Sequence, residues 1–251
     1  MSIADRKPRW LSLDGAVNAR AVVPGVLLRS DNLQSLSPAD VRRLLDEQGL
    51  EVVLDLRTDF EVASEGPGPL THEPSVRIEH RSLYPDAGDS SFAHATRPAD
   101  SPYKEDLPGE TATVRAYLSY LDLRPDSLLA SVRTIAHADG AVLVHCAAGK
   151  DRTGVVVGLA LDATGVERDA IVADYAASAE RIEAILRRLA ASPTYHDEMS
   201  GADPRRQAPV PETMERFLEI VEERYGGSAA WLTSQGLDDA ELELLRRRLA
   251  P

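Results

Sequence analysis

The segment AVLVHCAAGKDRTGVVVGLAL, residues Ala141–Leu161, joins an apolar run to a helical pattern through a short polar stretch. Residues 141–145 have the composition of a buried strand, and the residues from Arg152 onward have that of a helix. Residues 146–151 are therefore predicted to form a tight turn at the carboxyl edge of a sheet, where open α/β folds place their ligands. The turn begins with Cys146, the one cysteine of the sequence.

The predicted turn has the properties of a site for a doubly charged anion. Successive backbone amides can point inward there as a nest, and the helix that follows presents the positive end of its dipole. Small side chains leave room for a phosphate group, and glycine adopts backbone angles that other residues resist. The amides are those of Ala147, Ala148, Gly149, Lys150 and Asp151.

The side chains around this turn indicate nucleophilic chemistry. Helix N-termini and nearby cations stabilise thiolates, so Cys146 is predicted to be a nucleophile in its ionised form. Arg152 would grip two phosphate oxygens with its planar guanidinium group. Thr153 would donate a hydrogen bond to the sulfur, and the ring of His145 would fix the turn. Gly154 extends the motif, whose joint occurrence by chance is improbable.

The segment has two other interpretations, a purely structural one and a nucleotide-binding loop. A single cysteine at the end of a strand is commonly a small buried apolar residue, and Gly-Lys-Asp-Arg is compatible with a solvated turn. A nucleotide-binding loop of the form GxxxxGK[ST] is excluded. Val144 stands where its first glycine belongs, and Asp151 stands where its Ser or Thr belongs.

The composition is that of a soluble globular protein without disulfide bonds. The 251 residues are 43% apolar and 27% charged, and one cysteine cannot form an internal bridge. With 41 acidic and 28 basic residues the formal charge is −13, which disfavours non-specific binding to nucleic acid or to anionic membranes. No secretory signal or membrane helix is recognised, so the sequence predicts no integral membrane association and a cytoplasmic location. Export by a route without a cleavable signal is the alternative.

The pattern of strands and helices predicts an α/β fold. Residues 37–49 have a helical pattern capped by Ser37, whereas residues 51–57 and Val76–Leu83 have strand patterns. A long irregular loop follows at residues 84–110, and helical patterns dominate after it. The sequence thus predicts a mostly parallel central sheet flanked by helices, with additional helices toward the C-terminus.

The whole chain, residues 1–251, is predicted to be a single domain. The run from Arg168 to Ser192 is a continuous helical pattern with one apolar face, and the proline-rich and glycine-containing residues after it interrupt the pattern. Residues 168–210 are interpreted as a helical lid over the site or as an insertion, with an ordinary core helix as the alternative.

The motif HCAAGKDRTG, residues 145–154, resembles the signature of cysteine-dependent protein-tyrosine and dual-specificity phosphatases. It is most similar to the bacterial branch that has lysine and aspartate just before the arginine, a branch similar to phosphoinositide phosphatases in this loop. The resemblance extends over most of the chain. It includes the segments GAVNAR, GVLLRSDNL, VVLDLRTDFEVASEGPG, GVERDAIVADYAAS and RYGGSAAWLTSQGL.

The resemblance implies a fold like that of the protein-tyrosine phosphatases and a reaction without metal or cofactor. It implies that Cys146 is the nucleophile, that Arg152 clamps the phosphate and that the amides of residues 147–152 cradle it. The implied partners are proteins phosphorylated on tyrosine, with phosphoserine, phosphothreonine and phosphoinositides as further substrates. One departure concerns GAVNAR, where alanines flank Arg20 although the branch usually has an acidic residue beside this arginine.

Release of tyrosine requires a general acid, and three aspartates are candidates. Neither tryptophan is followed by the Pro-Asp of a Trp-Pro-Asp loop. The sequence LYPDAG instead offers Asp86, in a similar Tyr-Pro-Asp just beyond a predicted strand; the alternative for it is a simple turn residue. Asp151, inside the signature loop, is the rival. Asp126 is the third candidate, and its alternative role is that of a helix cap.

Three further basic residues have competing interpretations. Lys150 would add positive charge at the base of the loop and so favour a more anionic head group such as that of a phosphoinositide, or it is simply solvated. Arg57 and Arg29 would line the site, or they would pair with acids such as Asp55 and Asp31. Structural pairing is the favoured interpretation for both arginines.

Three functional classes are compatible with these residues. The first is a phosphomonoester hydrolase that forms a phospho-cysteine intermediate. The second is a phosphoprotein-binding or phosphoinositide-binding module with weak or no turnover, against which the intact pair of Cys146 and Arg152 argues. The third is a sulfur-transfer or arsenate-reducing enzyme, although arsenate reduction generally needs further thiols and the chain has none.

Overall fold

The computed structural model describes residues 8–85 and 109–249. The described strands form one six-stranded sheet: β1 (Arg9–Trp10), β2 (Arg20–Val23), β3 (Leu27–Ser30), β4 (Leu50–Asp55), β5 (Arg77–His80) and β6 (Ala141–His145). Their order in the sheet is β1-β2-β3-β6-β4-β5. The β1–β2 and β2–β3 pairs are antiparallel, and the other three pairs are parallel. The predicted α/β fold with a mostly parallel sheet is confirmed.

Helices pack on both faces of this sheet. They are α1 (Pro38–Arg42, continued by a π-helical turn over Arg43–Glu47), α2 (Asp59–Glu65), α3 (Ala112–Leu123), α4 (Pro125–His137), α5 (Asp151–Ala163), α6 (Arg168–Ala176), α7 (Ile182–Ala190), α8 (His196–Met199), α9 (Pro204–Gln207), α10 (Pro211–Tyr225), α11 (Ser228–Ser234) and α12 (Asp239–Leu249). Short 3-10 turns lie at Pro69–His72 and Ala177–Arg181. In the described ranges, every helix is too short or too polar to cross a bilayer.

The central strand β6 is buried on both sides, which explains its uninterrupted apolar sequence. Successive side chains of a strand point to opposite faces. Val142 and Val144 belong to a large cluster with residues of α3, α4, α5 and α10. Leu143 belongs to a second cluster that includes Val41 and Leu44. A strand buried on both faces is expected in a parallel sheet that carries helices on both sides.

The parallel register ends three strands at the same level. Ser30 of β3 and Asp55 of β4 are both the register partners of His145 of β6, and each of the three is the last residue of its strand. The segments that leave β3, β4 and β6 therefore emerge side by side at the carboxyl edge of the sheet. Cys146, the next residue after β6, starts at this edge.

Two local predictions hold, one of them with shorter bounds. The cap at Ser37 is confirmed, because its side chain accepts the Asp40 amide and the Asp40 side chain accepts the Ser37 amide in a capping box. The strand predicted at Val76–Leu83 spans only Arg77–His80. This strand lies at the edge of the sheet and its side chains are mostly exposed. Among the described strands it pairs with one neighbour only, so fewer of its residues are held by hydrogen bonds between strands.

The continuous helix predicted from Arg168 to Ser192 is wrong. The structure has α6, a 3-10 turn and α7 in its place. Nη2 of the buried Arg20 donates to the backbone carbonyl of Asp174 at 2.7 Å and to Oγ of Ser178 at 3.1 Å. The Asp174 carbonyl is the acceptor that an α-helix would offer to the amide of residue 178. A long-range side chain thus competes with the helix where the α-helical geometry ends.

Two fully buried arginines of the first strands converge on one carboxylate. Arg20 Nε lies 2.9 Å from one oxygen of Asp174, and Arg29 Nη1 lies 2.6 Å from the other. Burial would raise the pKa of the Asp174 carboxyl, but the two guanidinium groups hold it below its usual value. The alanines beside Arg20 supply no charge, so its acidic partner comes from α6, 154 residues further along the chain.

We predict that Asp174→Asn lowers the free energy of unfolding by about 3–5 kcal/mol at pH 7, because two buried guanidinium groups lose their counter-charge. The pKa of Asp174 is lowered in the folded state. Its stabilisation is therefore complete above about pH 4, the unfolded-state pKa, and is lost as the pH falls through the lower folded-state value. The difference between variant and wild type should shrink below about pH 4. Urea unfolding across this pH range measures it.

The matched control is Asp169→Asn, an exposed aspartate of the same helix. Its free energy of unfolding should stay within about 0.5 kcal/mol of wild type. Equal stability of all three proteins at pH 7 would contradict the role assigned to Asp174.

Candidate active site

The predicted strand–turn–helix is present around Cys146. β6 ends at His145, the loop runs through residues 146–150, and α5 begins at Asp151. Cys146 is 2% exposed. It packs in the large apolar cluster of the core and also lines a pocket.

Two side chains, from Asn18 just before β2 and from Arg29 of β3, bind the loop carbonyls. Asn18 Nδ2 donates to the carbonyl oxygens of Ala148 and Gly149 at 2.9 and 3.1 Å. Arg29 Nη2 donates to the carbonyl oxygens of Gly149 and Lys150 at 2.8 and 3.3 Å. Because the N–H of a peptide group points opposite to its C=O, these bonds turn the corresponding amides to the other side of the loop. This orientation of the amides is the one that the predicted anion nest requires.

Gly149 is required by the backbone of this loop. Its φ is +65°, in the left-handed region that favours glycine. A Cβ built at this position would lie 2.3 Å from the backbone oxygen of Ser30, at the end of the neighbouring strand β3. The amide of Asn32 also donates to the carbonyl of Ala147 at 3.1 Å. The loop is therefore fitted closely against the segment that follows β3.

Asn18 was not among the predicted site residues, and Arg29 has a different partner from the predicted one. Arg29 was expected to pair with acids such as Asp31, but it binds Asp174 and the loop carbonyls. Asp31 instead pairs with Arg188 at 3.0 Å. The signal available was that Asn18 and Arg29 fall in GAVNAR and GVLLRSDNL, two segments on which the family resemblance rests.

Arg152 is held at the pocket by a buried glutamate. Its Nη1 and Nη2 donate to Oε2 and Oε1 of Glu61 at 2.6 and 2.9 Å, a bidentate pair. The guanidinium carbon lies 5.5 Å from the centre of the Tyr84 ring. Burial alone would lower the pKa of Arg152, but the charges of Glu61 and Cys146 raise it well above the usual value. The guanidinium therefore carries a permanent positive charge beside the thiol.

Glu61 was likewise absent from the predicted site residues. It belongs to a capping box of α2, in which Glu61 Oε2 accepts the Thr58 amide at 2.7 Å and Thr58 Oγ1 accepts the Glu61 amide at 3.2 Å. The Thr-x-x-Glu spacing at the start of a helix signals such a box. The box explains why the carboxylate is fixed, but no local pattern pointed to Arg152 as its partner.

The buried His145 contacts the start of the loop, and a buried ion pair of Asp55 and Arg57 lies beside it. His145 Nε2 lies 3.6 Å from Oδ1 of Asp55, and its Nδ1 lies 3.3 Å from the carbonyl oxygen of Cys146. Burial lowers the pKa of His145, and the charge of Asp55 opposes this shift. Arg57 pairs with Asp55 at 2.6 Å, which confirms the predicted pairing. Burial would raise the pKa of Asp55, but His145 and Arg57 hold it far below its usual range.

Thr153 and Gly154 occupy the first turn of α5. Thr153 Oγ1 is buried and has no hydrogen-bond partner among the described residues, so the predicted bond to the sulfur is not formed in this structure. A Cβ at Gly154 would lie 2.9 Å from the ring of Tyr175, which gives the glycine a packing role.

The pocket above Cys146 has a volume of about 330 Å³. This volume suits a small organic ligand. The loop and Arg152 line it together with aromatic and apolar side chains, which we call its wall residues. The wall residues include Tyr84, Tyr117, Tyr120, Ile182, Ile185, Leu186, Leu189, Tyr195 and Met199. Part of the region interpreted as a lid or insertion therefore lies against the pocket.

The three candidate acids have different positions. Asp151 lines the pocket, where its Oδ1 accepts a hydrogen bond from the Tyr117 hydroxyl at 2.5 Å and its Oδ2 lies 3.4 Å from Nζ of Lys150. Asp86 lies outside the described residues, two positions after the pocket residue Tyr84. Asp126 does not line this pocket and pairs with Arg124.

Lys150 and Tyr117 are themselves held by neighbours. Lys150 Nζ donates to the carbonyl of Gln207 in α9 at 2.7 Å. The Tyr117 hydroxyl lies 2.8 Å from that of Tyr175. Burial, followed by the charge of Asp151, raises the pKa of Tyr117 well above its usual value, so its hydroxyl keeps the proton that it donates.

Comparisons with known proteins agree with this geometry. The tyrosine phosphatase family matches residues 13–251. A relative from Mycobacterium tuberculosis (strain ATCC 25618 / H37Rv), named triple specificity protein phosphatase PtpB, is 32% identical over 208 residues, which cover 75% of this chain and 74% of that protein. A relative from Nostoc commune, named tyrosine-protein phosphatase, is 30% identical over 260 residues, which cover 98% of this chain and 82% of that protein.

Among solved structures, that of P. aeruginosa TpbA aligns over 97% of this chain and 96% of that chain, with 16% identity and a TM-score of 0.37. The family match spans nearly the whole sequence and includes the loop that holds Cys146 and Arg152. The chain therefore belongs to the tyrosine phosphatase family, which confirms the enzyme class that the sequence predicted.

Proposed function

We propose that this protein hydrolyses phosphotyrosine through a phospho-cysteine intermediate. The observation that carries the proposal is that Cys146 and Arg152 line one pocket while Asn18 and Arg29 turn the loop carbonyls away from it. A phosphate group in the pocket would meet the sulfur, the backbone amides and the guanidinium together. The names of the two relatives support protein phosphatase activity of tyrosine or dual specificity.

In the first step the Cys146 thiolate attacks phosphorus. The sulfur–phosphorus bond forms while the bond from phosphorus to the tyrosyl oxygen breaks, and that oxygen takes a proton from the general acid. Charge spread over the remaining phosphate oxygens is stabilised by the amides of residues 147–152 and by Arg152. Tyrosine leaves, and the phosphoryl group stays on sulfur.

In the second step water attacks the phosphoryl group and gives a proton to the carboxylate left by the first step. The phosphorus–sulfur bond breaks, its electron pair returns to Cys146, and inorganic phosphate leaves. A hydrogen bond to the departing sulfur lowers the cost of this charge. The buried Thr153 hydroxyl, which has no partner among the described residues, is the donor we assign to this task.

We favour Asp86 as the general acid and keep Asp151 as its rival. A general acid must carry its proton before it donates. The carboxylate of Asp151 is already engaged by the hydroxyl of Tyr117 and by Nζ of Lys150. What supports Asp86 is its sequence position, two residues after the pocket residue Tyr84 and in the Tyr-Pro-Asp motif.

The walls of the pocket support an aromatic substrate. Tyrosine rings and the apolar residues of α7 would pack against the ring of phosphotyrosine. Lys150 adds a second cation to the pocket beside Arg152, which supports phosphoinositides as additional substrates. We propose phosphoserine and phosphothreonine as further substrates, in line with the name of the triple specificity relative. Residues 182–207 of the predicted region 168–210 include several that line the pocket, and we propose that they act as a lid over it.

We predict that Cys146→Ser abolishes hydrolysis of p-nitrophenyl phosphate and that Arg152→Lys lowers kcat by about 10²–10³-fold, because lysine cannot form the bidentate clamp. The assay contains a chelator, since the proposed chemistry needs no metal. Arg246→Lys, at an exposed position of α12, should leave the rate unchanged. Full turnover by Cys146→Ser would contradict the nucleophile, and vanadate binding without turnover in the unchanged protein would favour a binding module.

We predict that Asp86→Asn lowers kcat by about 10²–10⁴-fold for phenyl phosphate and much less for p-nitrophenyl phosphate. The poorer leaving group depends more strongly on proton donation. Asp126→Asn is the control, because this residue does not line the pocket. A leaving-group-dependent loss in Asp151→Asn, with Asp86→Asn unaffected, would assign the acid to Asp151 instead.

We predict that Lys150→Ala lowers kcat/KM about tenfold for a phosphoinositide and less for a phosphotyrosine peptide, because the lost charge faces the more anionic head group. Lys150→Arg, which keeps the charge, should retain most of the phosphoinositide activity. Turnover of both substrates and of a phosphoserine peptide is measured side by side. An equal loss for all three substrates would remove Lys150 from the selection of lipid head groups.

A further inference from the structure

Residues 182–207, which we call the covering segment, are fastened to α2 at two carboxylates. Glu61 and Glu65 lie one turn apart on this helix. Glu65 Oε1 accepts the hydroxyl of Ser192 and the amide of Thr194. Burial would raise the pKa of Glu65, but these donors hold it below its usual value. The Glu65 contact anchors the covering segment without touching the catalytic loop.

The other fastening point, Glu61, is shared with the phosphate clamp. Glu61 is fully buried. Its Oε1 accepts one hydrogen bond from Nη2 of Arg152 at 2.9 Å and another from the hydroxyl of Tyr195. Tyr195 is also buried, in an apolar cluster with Ala147 of the loop and Ile185 of α7. One carboxylate oxygen thus joins the covering segment to the guanidinium group.

We propose that Tyr195 is a positioning residue, which makes the orientation of Arg152 depend on the seating of the covering segment through their shared acceptor Glu61. The proposal rests on the proposed function, since it takes Arg152 as the phosphate clamp. A buried carboxylate that loses one donor interacts more strongly with the donors that remain. Without the Tyr195 hydroxyl, Glu61 draws the guanidinium toward itself and away from a bound phosphate.

The same contact works in the opposite direction. When a phosphate oxygen accepts hydrogen bonds from Arg152, the hydrogen bonds from the guanidinium to Glu61 weaken. Glu61 then accepts a stronger hydrogen bond from the Tyr195 hydroxyl. Oxyanion binding and seating of the covering segment therefore reinforce each other, and their coupling free energy is the same from either side. The pocket closes and the clamp is oriented in one cooperative step.

The first test is Tyr195→Phe, which removes only the hydroxyl. Inorganic phosphate is used as a competitive inhibitor of p-nitrophenyl phosphate hydrolysis, because it engages the loop and Arg152 without a leaving group. Its inhibition constant should rise about threefold to tenfold, the value of one hydrogen bond. Tyr225→Phe, at the end of α10 and outside the pocket lining, should leave this constant within twofold of wild type.

A double-mutant cycle tests the route through Glu61. Tyr195→Phe should raise the inhibition constant by less than twofold in a Glu61→Gln background, because the shared acceptor is already altered. A full additional loss in that background would mean that the hydroxyl acts by another path, and it would overturn the proposal.

Limited trypsin digestion after the exposed Arg205 and Arg206 tests the reciprocal effect. Phosphate should slow cleavage of the covering segment in the wild type and should slow it several-fold less in Tyr195→Phe. Unchanged phosphate affinity and unchanged protection in Tyr195→Phe would overturn the role of Tyr195 alone. Failure of phosphate to bind the wild type at all would overturn the assignment of Arg152 as the clamp, and the coupling with it.

Discussion

The hydrogen bonds from Asn18 and Arg29 to the loop carbonyls are the constraint on which the rest of the site depends. Fixing the direction of each C=O fixes the direction of the N–H in the same peptide group, so the two side chains orient the amides of residues 149–151 as the proposed phosphate cradle requires. The cost of burying Arg29 is offset by Asp174. Because Asp174 belongs to α6, the anion nest depends on a helix that contributes no residue to the nest itself.

A second constraint fixes the arginine of the site. Glu61 is oriented by the capping box that starts α2, and it presents both oxygens to Arg152. One carboxylate therefore begins a helix and orients a guanidinium group. The nest and the guanidinium are held by different parts of the chain, and they meet only because β3, β4 and β6 end at the same edge of the sheet.

The sequence was sufficient for features whose determinants are consecutive in the chain. The buried strand β6, the turn at Cys146 and the helix after it were all predicted, because an apolar run, small residues and a helical pattern follow one another. The cap at Ser37 and the α/β order were accessible for the same reason. Chemistry-bearing residues inside such a local motif can be placed without knowing the rest of the fold.

The contacts that were missed join residues that are distant in sequence. Arg152 and Glu61 are 91 positions apart, and Arg20 and Asp174 are 154 apart. Only the order of the strands brings these residues together. The pattern of residues in one segment does not indicate which distant residue it will contact. The hydrogen bond from Arg20 to the Asp174 carbonyl also explains why two helices stand where one was predicted. Hydrophobic periodicity cannot show that a distant side chain binds a backbone carbonyl of the helix.

Arg20, Arg29 and Asp174 form a closed set of charges in the interior, and this has a consequence for how the sequence can drift over evolutionary time. Replacing any one of these three residues leaves a buried charge or polar group without a partner. Replacing all three with packed apolar residues leaves no buried charge to compensate. Substitutions at these positions should therefore be inherited jointly. A homologue that has lost one of them should have lost the others, and should hold its catalytic loop by different means.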